Sequence, residues 1–346
     1  MTTINVNLGE ASYDIFVGSN CLKDAKNVFN LDRKVLILTD SGVPKEYAGE
    51  IARYCADYTI MCVEMSESAK SFAVLESVLA KMLEFGMTRG DCLVSVGGGV
   101  VGDLGAFASS IYMRGIDFYN VPTTLLSMVD SSIGGKAAIN FEGTKNVIGS
   151  FHQPRAVLID TDTLATLPSR HISNGLAEVI KMALTCDKSL FEKLQIMDYD
   201  SAIKNVEDII RSAIAIKKRV VEIDEKETGL RRVLNFGHTL GHAIEAENYD
   251  NDLYHGECVA LGMLPLLSTN IYKDVVTVLN KYNLPTVYDG DISAVIKHIS
   301  HDKKCQGDMV RIIRVENIGE FIDEKISIDS FTKHILDSAN LLKSKN

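Results

Sequence analysis

Residues 91–112, DCLVSVGGGVVGDLGAFASSIY, place a short apolar run before a glycine-rich turn and a helical pattern. Gly97, Gly99 and Gly102 fit the spacing G-x-G-x-x-G. Glycines in such a turn let the backbone approach a pyrophosphate, and the helix that follows presents free N–H groups and the positive end of its dipole. The same spacing is equally typical of a tight turn between a strand and a helix, so both interpretations stay open.

The segments around this turn alternate between β-rich runs and helical patterns such as residues 71–85. This alternation predicts a parallel sheet that is covered on both faces. The glycine turn follows earlier strand–helix units, so a nucleotide bound there is held differently from one bound by a first Rossmann unit. The predicted strands are an alternating run within 1–18 and residues 34–40, 58–65, 91–99, 115–122 and 155–160.

After residue 160 the pattern becomes mainly helical. The fold class is therefore α/β, with a parallel-sheet domain at 1–162 and a mostly helical domain at 163–346. A charge run at 224–227 is predicted to be a solvated helix end. The main helical patterns lie at 176–184, 206–224, 237–247 and 256–272, and a hairpin is predicted at 309–327.

The composition excludes several classes of protein. The formal net charge of −10 argues against a nucleic-acid surface, which requires a basic stripe. Seven cysteines, scattered and without C-x-x-C, indicate reduced thiols. The N-terminus lacks the features of a signal peptide, and no apolar run reaches membrane-spanning length. We therefore expect a cytoplasmic protein without nucleic-acid or membrane partners.

His238 and His242 lie one helical turn apart in the stretch RVLNFGHTLGHAIE, on one face of the predicted helix. Thr239 stands where a zinc metalloprotease requires glutamate, which excludes that chemistry. His255 follows, and Glu178 is the best distant candidate for a carboxylate that completes a metal site with an open position. Packing or surface histidines remain the alternative.

A polar, glycine-rich segment at 114–146 lies beside the predicted sheet, where ligands usually bind. Arginine and lysine together suit a ligand that carries phosphate and carboxylate groups. For any one cation alone, pairing with a surface acid is the stronger interpretation. Asp40 ends a predicted strand and is a candidate for a ribose contact or for a helix N-cap. The candidate polar residues are Arg114, Asp130, Lys136, Lys145, Asn146, Lys217, Arg231, Lys303 and Lys304.

With these motifs assembled, the chain resembles the 3-dehydroquinate synthase family of sugar-phosphate cyclases. The similar blocks are GGGVVGDLGAF, RGIDFYNVPTTLLSMVDSSIGGKAAIN, GLAEVIKMAL, LRRVLNFGHTLGHAIE and YHGECVALGM. More distant relatives are metal-dependent alcohol dehydrogenases of the glycerol dehydrogenase type. The resemblance implies an N-terminal NAD-binding domain, a C-terminal metal-binding domain and an active site in the cleft between them.

The resemblance also implies a reaction of the shikimate pathway of aromatic amino acid biosynthesis. The family converts 3-deoxy-D-arabino-heptulosonate 7-phosphate to 3-dehydroquinate and phosphate, with catalytic NAD and a divalent metal, usually zinc, with cobalt as an alternative. A ring hydroxyl is oxidised transiently, phosphate leaves by β-elimination, the ketone is reduced, and an intramolecular aldol step closes the new ring.

Matched motif by motif, the family's site residues fall on definite positions of this chain. The implied metal ligands are Glu178, His238 and His255. The implied substrate contacts are Arg114, Asp130, Lys136, Asn146, Lys181, Lys217, Arg231, Asn235, His242 and either Lys303 or Lys304. The implied NAD contacts are Asp40, Glu67, Lys70, Gly98, Gly99, Val100, Asp103, Thr123, Thr124, Lys136, Lys145, Thr163 and Thr166.

Within the substrate set, the resemblance gives each group of residues its own task. Lys217 and Arg231 hold the carboxylate, with Asn235 nearby. Lys136, Asn146 and one of Lys303 and Lys304 hold the phosphate. Asp130 and Lys181 orient the reacting hydroxyls, and His242 faces the substrate hydroxyls instead of the metal. Arg114 reaches the phosphate in a neighbouring subunit's site, which implies a homodimer.

One departure from the family and three alternatives remain. Ser66 stands where the family has glycine in Gly-Glu-x-x-Lys, which predicts less backbone freedom in that loop. Another cyclase, such as 2-deoxy-scyllo-inosose synthase, would act on a substrate without a carboxylate, whereas Lys217 and Arg231 favour one that has it. A polyol dehydrogenase would need no phosphate-binding residues, and a regulatory nucleotide-binding module would need no metal ligands.

Overall fold

The computed structural model describes residues 1–248, 253–299, 305–306, 308–338 and 342, with only the backbone at 305–306. The chain folds into two compact units, Met1–Pro168 and Ser169–Asn346. The boundary predicted near residue 162 falls within the 3₁₀ helix Thr161–Thr166, which belongs to the first unit.

The first unit is built on a seven-stranded sheet in the order β1-β2-β9-β6-β5-β3-β4. Neighbouring strands are parallel except β1 and β2, and β7 and β8 form a separate antiparallel pair. The strands are β1 (Thr2–Val6), β2 (Tyr13–Gly18), β3 (Lys34–Asp40), β4 (Asp57–Val63), β5 (Cys92–Gly97), β6 (Asp117–Pro122), β7 (Lys136–Phe141), β8 (Thr144–Phe151) and β9 (Ala156–Asp160). The helices are α1 (Ala25–Val28), α2 (Lys45–Ala52), α3 (Phe72–Glu84) and α4 (Gly99–Ile111).

Strand β3 shows why this sheet is covered on both faces. All its residues except Lys34 are buried, as is typical of a strand within a parallel sheet. Leu36 and Leu38 belong to one apolar cluster, and Val35 and Ile37 belong to another, because alternate side chains point to opposite faces. The predicted α/β class and its parallel sheet are confirmed.

Helix α4 packs tightly against the sheet through its glycines. A Cβ on Gly97 would lie 2.9 Å from a methyl carbon of Val101, and one on Gly105 would lie 2.1 Å from Ser95 Oγ. A Cβ on Gly102 would have more room, at 3.3 Å from the Asn120 side chain. Close helix–strand contact therefore depends on Gly105 more than on the last glycine of the predicted motif.

The carboxyl ends of β3, β5, β6 and β9 lie along one edge of the sheet. Strands β4 and β5 flank β3 on opposite sides, so the winding of the chain reverses between β3 and β5. Ligands of open α/β sheets bind at such switch points. Asp40 ends β3 and Gly98 follows β5, so two predicted NAD contacts flank this position.

Two parts of the first unit differ from the sequence prediction. Residues 1–18 form two antiparallel strands instead of one, because the chain turns near Gly9, which has a φ of +65°. The pair β7–β8 begins in the polar, glycine-rich segment 114–146, for which the sequence predicts no such hairpin, and extends to Phe151. Most side chains of β8 are exposed, so the sequence carries little apolar alternation there.

The second unit is mainly helical, as predicted. Its hairpin of β11 and β12 confirms the prediction at 309–327. The helices are α5 (Ser169–Cys186), α6 (Lys188–Ile196), α7 (Tyr199–Lys204), α8 (Val206–Ile223), α9 (His238–Glu247), α10 (His255–Met263), α11 (Thr269–Lys281), α12 (Ile292–Ile299) and α13 (Ile328–Asp337). The strands are β10 (Cys305–Gln306), β11 (Met309–Arg314) and β12 (Ile322–Ser327). Within the described ranges, no helix is both long and apolar enough to cross a bilayer.

The predicted helical stretch 256–272 is wrong in its middle. Helix α10 gives way to a 3₁₀ turn at Leu264–Leu266, and Leu267 is extended and bridges to Val315. Pro265 lies in this turn and has no N–H to continue an α-helical ladder. Two helices, α10 and α11, therefore replace the single predicted one.

Candidate functional site

Helices α9 and α10 pack so closely that their histidines meet. A Cβ on Gly262 would lie 2.1 Å from the carbonyl oxygen of Gly237, so neither backbone leaves room for a side chain. Gly237 precedes α9 with a φ of +77°, a left-handed conformation that favours glycine. His238 begins α9 and His255 begins α10, and their ring centroids are 5.3 Å apart.

Glu178 on helix α5 faces both histidines. Its Oε1 lies 3.7 Å from Nε2 of His238 and 3.6 Å from Nε2 of His255. Its Oε2 accepts a hydrogen bond from Nζ of Lys181, one turn further along the helix. Glu178 and Lys181 are each only 1% exposed, so the carboxylate depends on these neighbours to offset its loss of water.

The same histidines offer an alternative ligand set that includes His242. One ring nitrogen of each of His238, His242 and His255 lies within 4.8 Å of the others. Two ligand atoms on a tetrahedral zinc ion lie about 3.4 Å apart. The distances from Glu178 Oε1 to Nε2 of His238 and to Nε2 of His255 are close to this value. The carboxylate and these two imidazoles therefore fit a metal ion with small adjustments.

Both predicted histidine ligands are fixed through their second ring nitrogen. Nδ1 of His238 lies 3.1 Å from the carbonyl oxygen of Phe236, and Nδ1 of His255 lies 3.3 Å from Oε2 of Glu245. Burial lowers the pKa of His255, but the carboxylates of Glu178 and Glu245 outweigh burial and raise it to about 10. Metal binding at Nε2 of His255 would therefore displace a proton.

Replacing Glu245 by alanine is expected to weaken metal binding by about 10- to 100-fold, because the carboxylate orients the His255 ring and increases its basicity. The measurement is competition for Zn²⁺ against a chromogenic chelator. Glu247→Ala is the matched control, since Glu247 lies on the same helix and contacts His298 at 3.0 Å on the surface. Equal metal affinities of the two variants would refute the role of Glu245.

The first turn of α10 is anchored by residues that sequence reasoning missed. Arg170 binds both carboxylate oxygens of Glu257, at 2.7 and 2.8 Å, and Glu257 also accepts the backbone N–H of Tyr254 at 2.9 Å. The side-chain oxygen of Asn174 accepts the backbone N–H of Gly256 at 2.5 Å. These contacts join α10 to α5, two of the three helices that carry the predicted metal ligands.

The predicted carboxylate-binding cations are both buried. Lys217 on α8 is 5% exposed, and Arg231 in the 3₁₀ helix Leu230–Asn235 is 2% exposed. Nη1 of Arg231 donates to the carbonyl oxygen of Glu225. Asn235, at the end of the same 3₁₀ helix, donates to Oε1 of Glu227 at 2.5 Å. Buried cations of this kind are unlike the surface ion pairs that were the alternative.

The charge run 224–227 follows the end of α8, as predicted, and none of its residues is buried, but Asp224 also organises the loop after the helix. Asp224 accepts backbone N–H groups of Gly229 at 2.7 Å and of Arg231 at 3.0 Å. Burial raises the pKa of Asp224, but these N–H groups, with that of Thr228, outweigh burial and lower it. Asp224 thereby shapes the loop that carries Arg231.

A polar cluster in the first unit joins residues that were predicted to bind NAD and phosphate. Nζ of Lys70 donates to Oδ2 of Asp103 at 2.6 Å and to Oδ1 of Asn146. Glu67 Oε1 lies 3.9 Å from the same ammonium. Burial raises the pKa of Asp103, and the charge of Lys70 opposes that effect. Asn146, a predicted phosphate contact, thus lies beside the predicted NAD contacts.

The other predicted NAD contacts in this unit follow the carboxyl ends of its strands. Asp40 Oδ1 accepts the backbone N–H of Gly42 at 2.8 Å, and helix α2 begins instead with Pro44 as its N-cap, so the N-cap interpretation of Asp40 is wrong. Burial raises the pKa of Asp40. Residues that begin α4 or follow β6 and β9 are Gly98, Gly99, Val100, Thr123, Thr124, Thr163 and Thr166.

The structure places the predicted phosphate contacts apart along the hairpin β7–β8. Lys136 begins β7 and pairs with Phe151, whereas Asn146 lies near the opposite end of the hairpin. The position on β7 nearest Asn146 is four residues from Lys136, a separation of about 13 Å. Lys145, in β8, is exposed. Lys303 and Lys304 lie outside the described residues.

Two further predicted residues occupy unusual backbone. Asp130 lies in the π-helical turn Ser127–Ser131, a feature that is frequent at functional sites. Arg114 is exposed and has a φ of +66°, directly after Met113 at +50°. Consecutive left-handed residues are strained, and Arg89 holds this turn by donating to the carbonyl oxygen of Met113 at 3.1 and 3.2 Å.

Comparison with known proteins assigns the family. The family model described as 3-dehydroquinate synthase N-terminal matches residues 60–174, and the one described as 3-dehydroquinate synthase C-terminal matches residues 175–305. The chain belongs to the 3-dehydroquinate synthase family. A 3-dehydroquinate synthase of Clostridium beijerinckii is 40% identical over 352 residues, covering 96% of this chain and 100% of that protein.

Solved structures of other cyclases share the fold of this 3-dehydroquinate synthase family member. A 2-epi-5-epi-valiolone synthase from Streptomyces hygroscopicus subsp. jinggangensis 5008, with NAD⁺ and Zn²⁺ bound, has a TM-score of 0.86 at 28% identity, covering 96% of this chain and 98% of that one. A 2-deoxy-scyllo-inosose synthase complexed with carbaglucose-6-phosphate, NAD⁺ and Co²⁺ has a TM-score of 0.88 at 24% identity, covering 97% and 99%. At the lower identity, the likeness concerns the fold alone.

The one departure from the 3-dehydroquinate synthase family pattern causes no strain. Ser66 has a φ of −157° and a ψ of 147°, an extended conformation that any residue adopts. Its hydroxyl accepts the backbone N–H of Ser68 at 3.2 Å and caps the 3₁₀ turn Glu67–Ala69. Serine therefore fits this position without strain and adds a local hydrogen bond. The loop keeps Glu67 and Lys70.

Proposed function

We propose that this protein is a cyclase that converts 3-deoxy-D-arabino-heptulosonate 7-phosphate to 3-dehydroquinate and phosphate, with catalytic NAD and one divalent metal ion. The observation that carries the proposal is the convergence of Glu178, His238 and His255, from three helices, within the family just identified. The buried cations Lys217 and Arg231 add support for a substrate that bears a carboxylate.

The metal would be held by Glu178 and by one ring nitrogen each of His238 and His255. A carboxylate and two imidazoles suit Zn²⁺ or Co²⁺. When bound, such an ion lowers the pKa of a substrate hydroxyl as a Lewis acid. Lys181 keeps its hydrogen bond to Glu178 and so fixes the carboxylate while presenting an ammonium for a reacting hydroxyl. His242, exposed on the same face of α9, would donate or accept a proton at the substrate hydroxyls.

NAD would be held by residues at the carboxyl edge of the first unit's sheet. Asp40, Glu67 and Lys70 suit the ribose hydroxyls, and the first turn of α4 suits the pyrophosphate because its N–H groups point out of the helix. When bound, NAD would supply a hydride acceptor for the substrate hydroxyl and later the hydride donor. The cofactor must therefore stay bound throughout the reaction. Contacts from residues at the ends of several adjacent strands would hold it there.

The substrate's charged groups would be held by separate residues. Lys217 and Arg231, with Asn235, would bind the carboxylate. Lys136 and Asn146, whose backbones lie about 13 Å apart, would bind the phosphate from opposite sides, together with Lys303 or Lys304. Asp130 would orient a hydroxyl. Point charges and single hydrogen bonds hold a leaving phosphate without trapping it. The substrate phosphate itself could accept the C–H proton, which accounts for the lack of a dedicated strong base among the predicted residues.

Arg114 supports a homodimer. It is exposed in the single chain and is held outward by a strained turn, as a side chain that serves a neighbouring subunit's phosphate would be. A cytoplasmic location is part of the proposal and agrees with the free thiols of the six cysteines whose side chains are described.

The test is an assay that follows two products at once. The protein is incubated with the heptulosonate phosphate, Zn²⁺ or Co²⁺ and substoichiometric NAD, and phosphate and NADH are measured together. We expect phosphate release over many turnovers without accumulation of NADH, with 3-dehydroquinate as the product. Stoichiometric NADH would indicate a dehydrogenase, and turnover of a sugar phosphate without a carboxylate would indicate another cyclase.

A further inference from the structure

Asn140 lies where the pairing of β7 and β8 shifts register, and it contacts three residues of the predicted ligand cluster. Its Nδ2 donates to Oε1 of Glu67 at 2.9 Å, and its Oδ1 accepts the backbone N–H of Asn146 at 2.9 Å. Its own backbone N–H donates to the carbonyl oxygen of Lys70 at 2.8 Å. It is the last residue of the family-like block at 114–140, which assigns it no role.

The chemistry of an amide side chain suits this position. Asparagine donates from one terminal atom and accepts at the other, so Asn140 can serve a carboxylate and a backbone N–H together. Asn146 has a φ of +52°, a conformation that costs energy unless its surroundings hold it. The hydrogen bond from its N–H to Asn140 provides such support.

These contacts close a ring of interactions. Asn140 joins Glu67 to Asn146, Asn146 joins Lys70 through its side-chain oxygen, and Lys70 is three residues after Glu67 in the same loop. Two side chains therefore link the Glu67–Lys70 loop to Asn146: that of Lys70 itself and that of Asn140, which also contacts Glu67.

We propose that Asn140 is a positioning residue that ties the NAD-binding loop to the phosphate-binding Asn146, so that both ligands depend on it. The assignment of Glu67 and Lys70 to NAD and of Asn146 to phosphate rests on the proposed function. Asn140 itself sets the carboxylate of Glu67 for the ribose and the left-handed backbone of Asn146 for the phosphate.

Two substitutions distinguish the two side-chain hydrogen bonds of Asn140, the one to Glu67 and the one from Asn146. Asn140→Asp still accepts the N–H of Asn146, but it cannot donate to Glu67 and repels its carboxylate. Asn140→Ala loses both contacts. We expect the Kd for NAD to rise about 10- to 100-fold in both variants, as is usual for a lost hydrogen bond to a charged group. The Kd for inorganic phosphate, measured with saturating NAD, should rise in Asn140→Ala and stay near the wild-type value in Asn140→Asp.

The matched control is Asn5→Asp. Asn5 also donates from Nδ2 to a carboxylate, that of Asp14 at 2.9 Å, on the edge strand of the same sheet. Both Kd values should stay at the wild-type level in this variant. Thermal unfolding of all variants shows whether a loss of ligand affinity comes from a destabilised fold. If Asn140→Ala does not fold, Asn140→Asp, which still accepts the N–H of Asn146, provides the test.

A double-mutant cycle separates positioning from a general loss of structure. If Asn140 acts through Glu67, adding Asn140→Ala to Glu67→Ala, which removes the acceptor, should cost little further NAD affinity, whereas independent effects would add. Additive losses of NAD affinity, or an unchanged Kd for NAD in Asn140→Asp, would overturn the inference about Asn140. The proposed function would stand in that case, provided that the wild-type protein binds NAD. Failure of the wild-type protein to bind NAD would instead overturn the proposed function, and this inference with it.

Discussion

His255→Ala is expected to abolish metal-dependent turnover while the fold stays intact. The substitution removes one of the three proposed ligands, and the two that remain would hold a divalent ion too weakly to keep it at ordinary metal concentrations. Alanine suits the first turn of α10, and the side chain of His255 is 29% exposed, so little packing is lost. Glu178 keeps its hydrogen bond to Lys181. The measurements are metal content after dialysis, phosphate release, and thermal unfolding.

His298→Ala is the control for removal of a histidine. His298 contacts Glu247 at 3.0 Å on the surface, with 41% of its side chain exposed, and it should retain metal and activity. A His255→Ala protein that dialyses with one metal ion per chain and works near the wild-type rate would remove His255 from the site.

Arg231→Ala is expected to weaken substrate binding by about 30- to 4,000-fold, because truncating one partner of a buried charge pair costs about 2–5 kcal/mol. Arg231 is 2% exposed, so water cannot replace it beside a bound carboxylate. The measurement is the Kd of the heptulosonate phosphate by calorimetry in the presence of NAD and metal. NAD affinity should not change.

Two controls test whether this loss comes from the carboxylate. Arg232→Ala removes the neighbouring, less buried cation and should leave substrate affinity near the wild-type value. A substrate analogue with a hydroxymethyl group in place of the carboxylate should bind wild-type and Arg231→Ala proteins equally weakly. An analogue that still distinguishes the two proteins would assign Arg231 a different role.

The sequence predicts the sheet well because its strands are continuous and apolar. Strand β5 is wholly buried, and a period of two or a solid apolar run is a local signal that needs no knowledge of distant contacts. The hairpin β7–β8 gives no such signal, since β8 is exposed along most of its length. The apolar residues around Pro265 continue the helical pattern, so that pattern alone predicts an unbroken helix there.

For the candidate site too, local motifs can be predicted from the sequence, whereas contacts between distant elements cannot. His238 and His242 are visible as one motif, but nothing local connects His238 to Glu178, which meets His238 and His255 only through the packing of α5, α9 and α10. Glu245 lies two turns after His238 on the same helix, a spacing that would have placed it on that face. The roles of Asn140 and Asp224 could not be predicted from the sequence, because their contacts depend on where the backbone turns.

The most direct test of the metal site is diffraction at the cobalt absorption edge from crystals grown with Co²⁺. We predict one anomalous peak per chain, at about 2.0–2.2 Å from a carboxylate oxygen of Glu178 and from one ring nitrogen each of His238 and His255, with His242 outside bonding distance. A peak bound by His238, His242 and His255 while Glu178 bonds only to Lys181, or no peak among these residues, would contradict it.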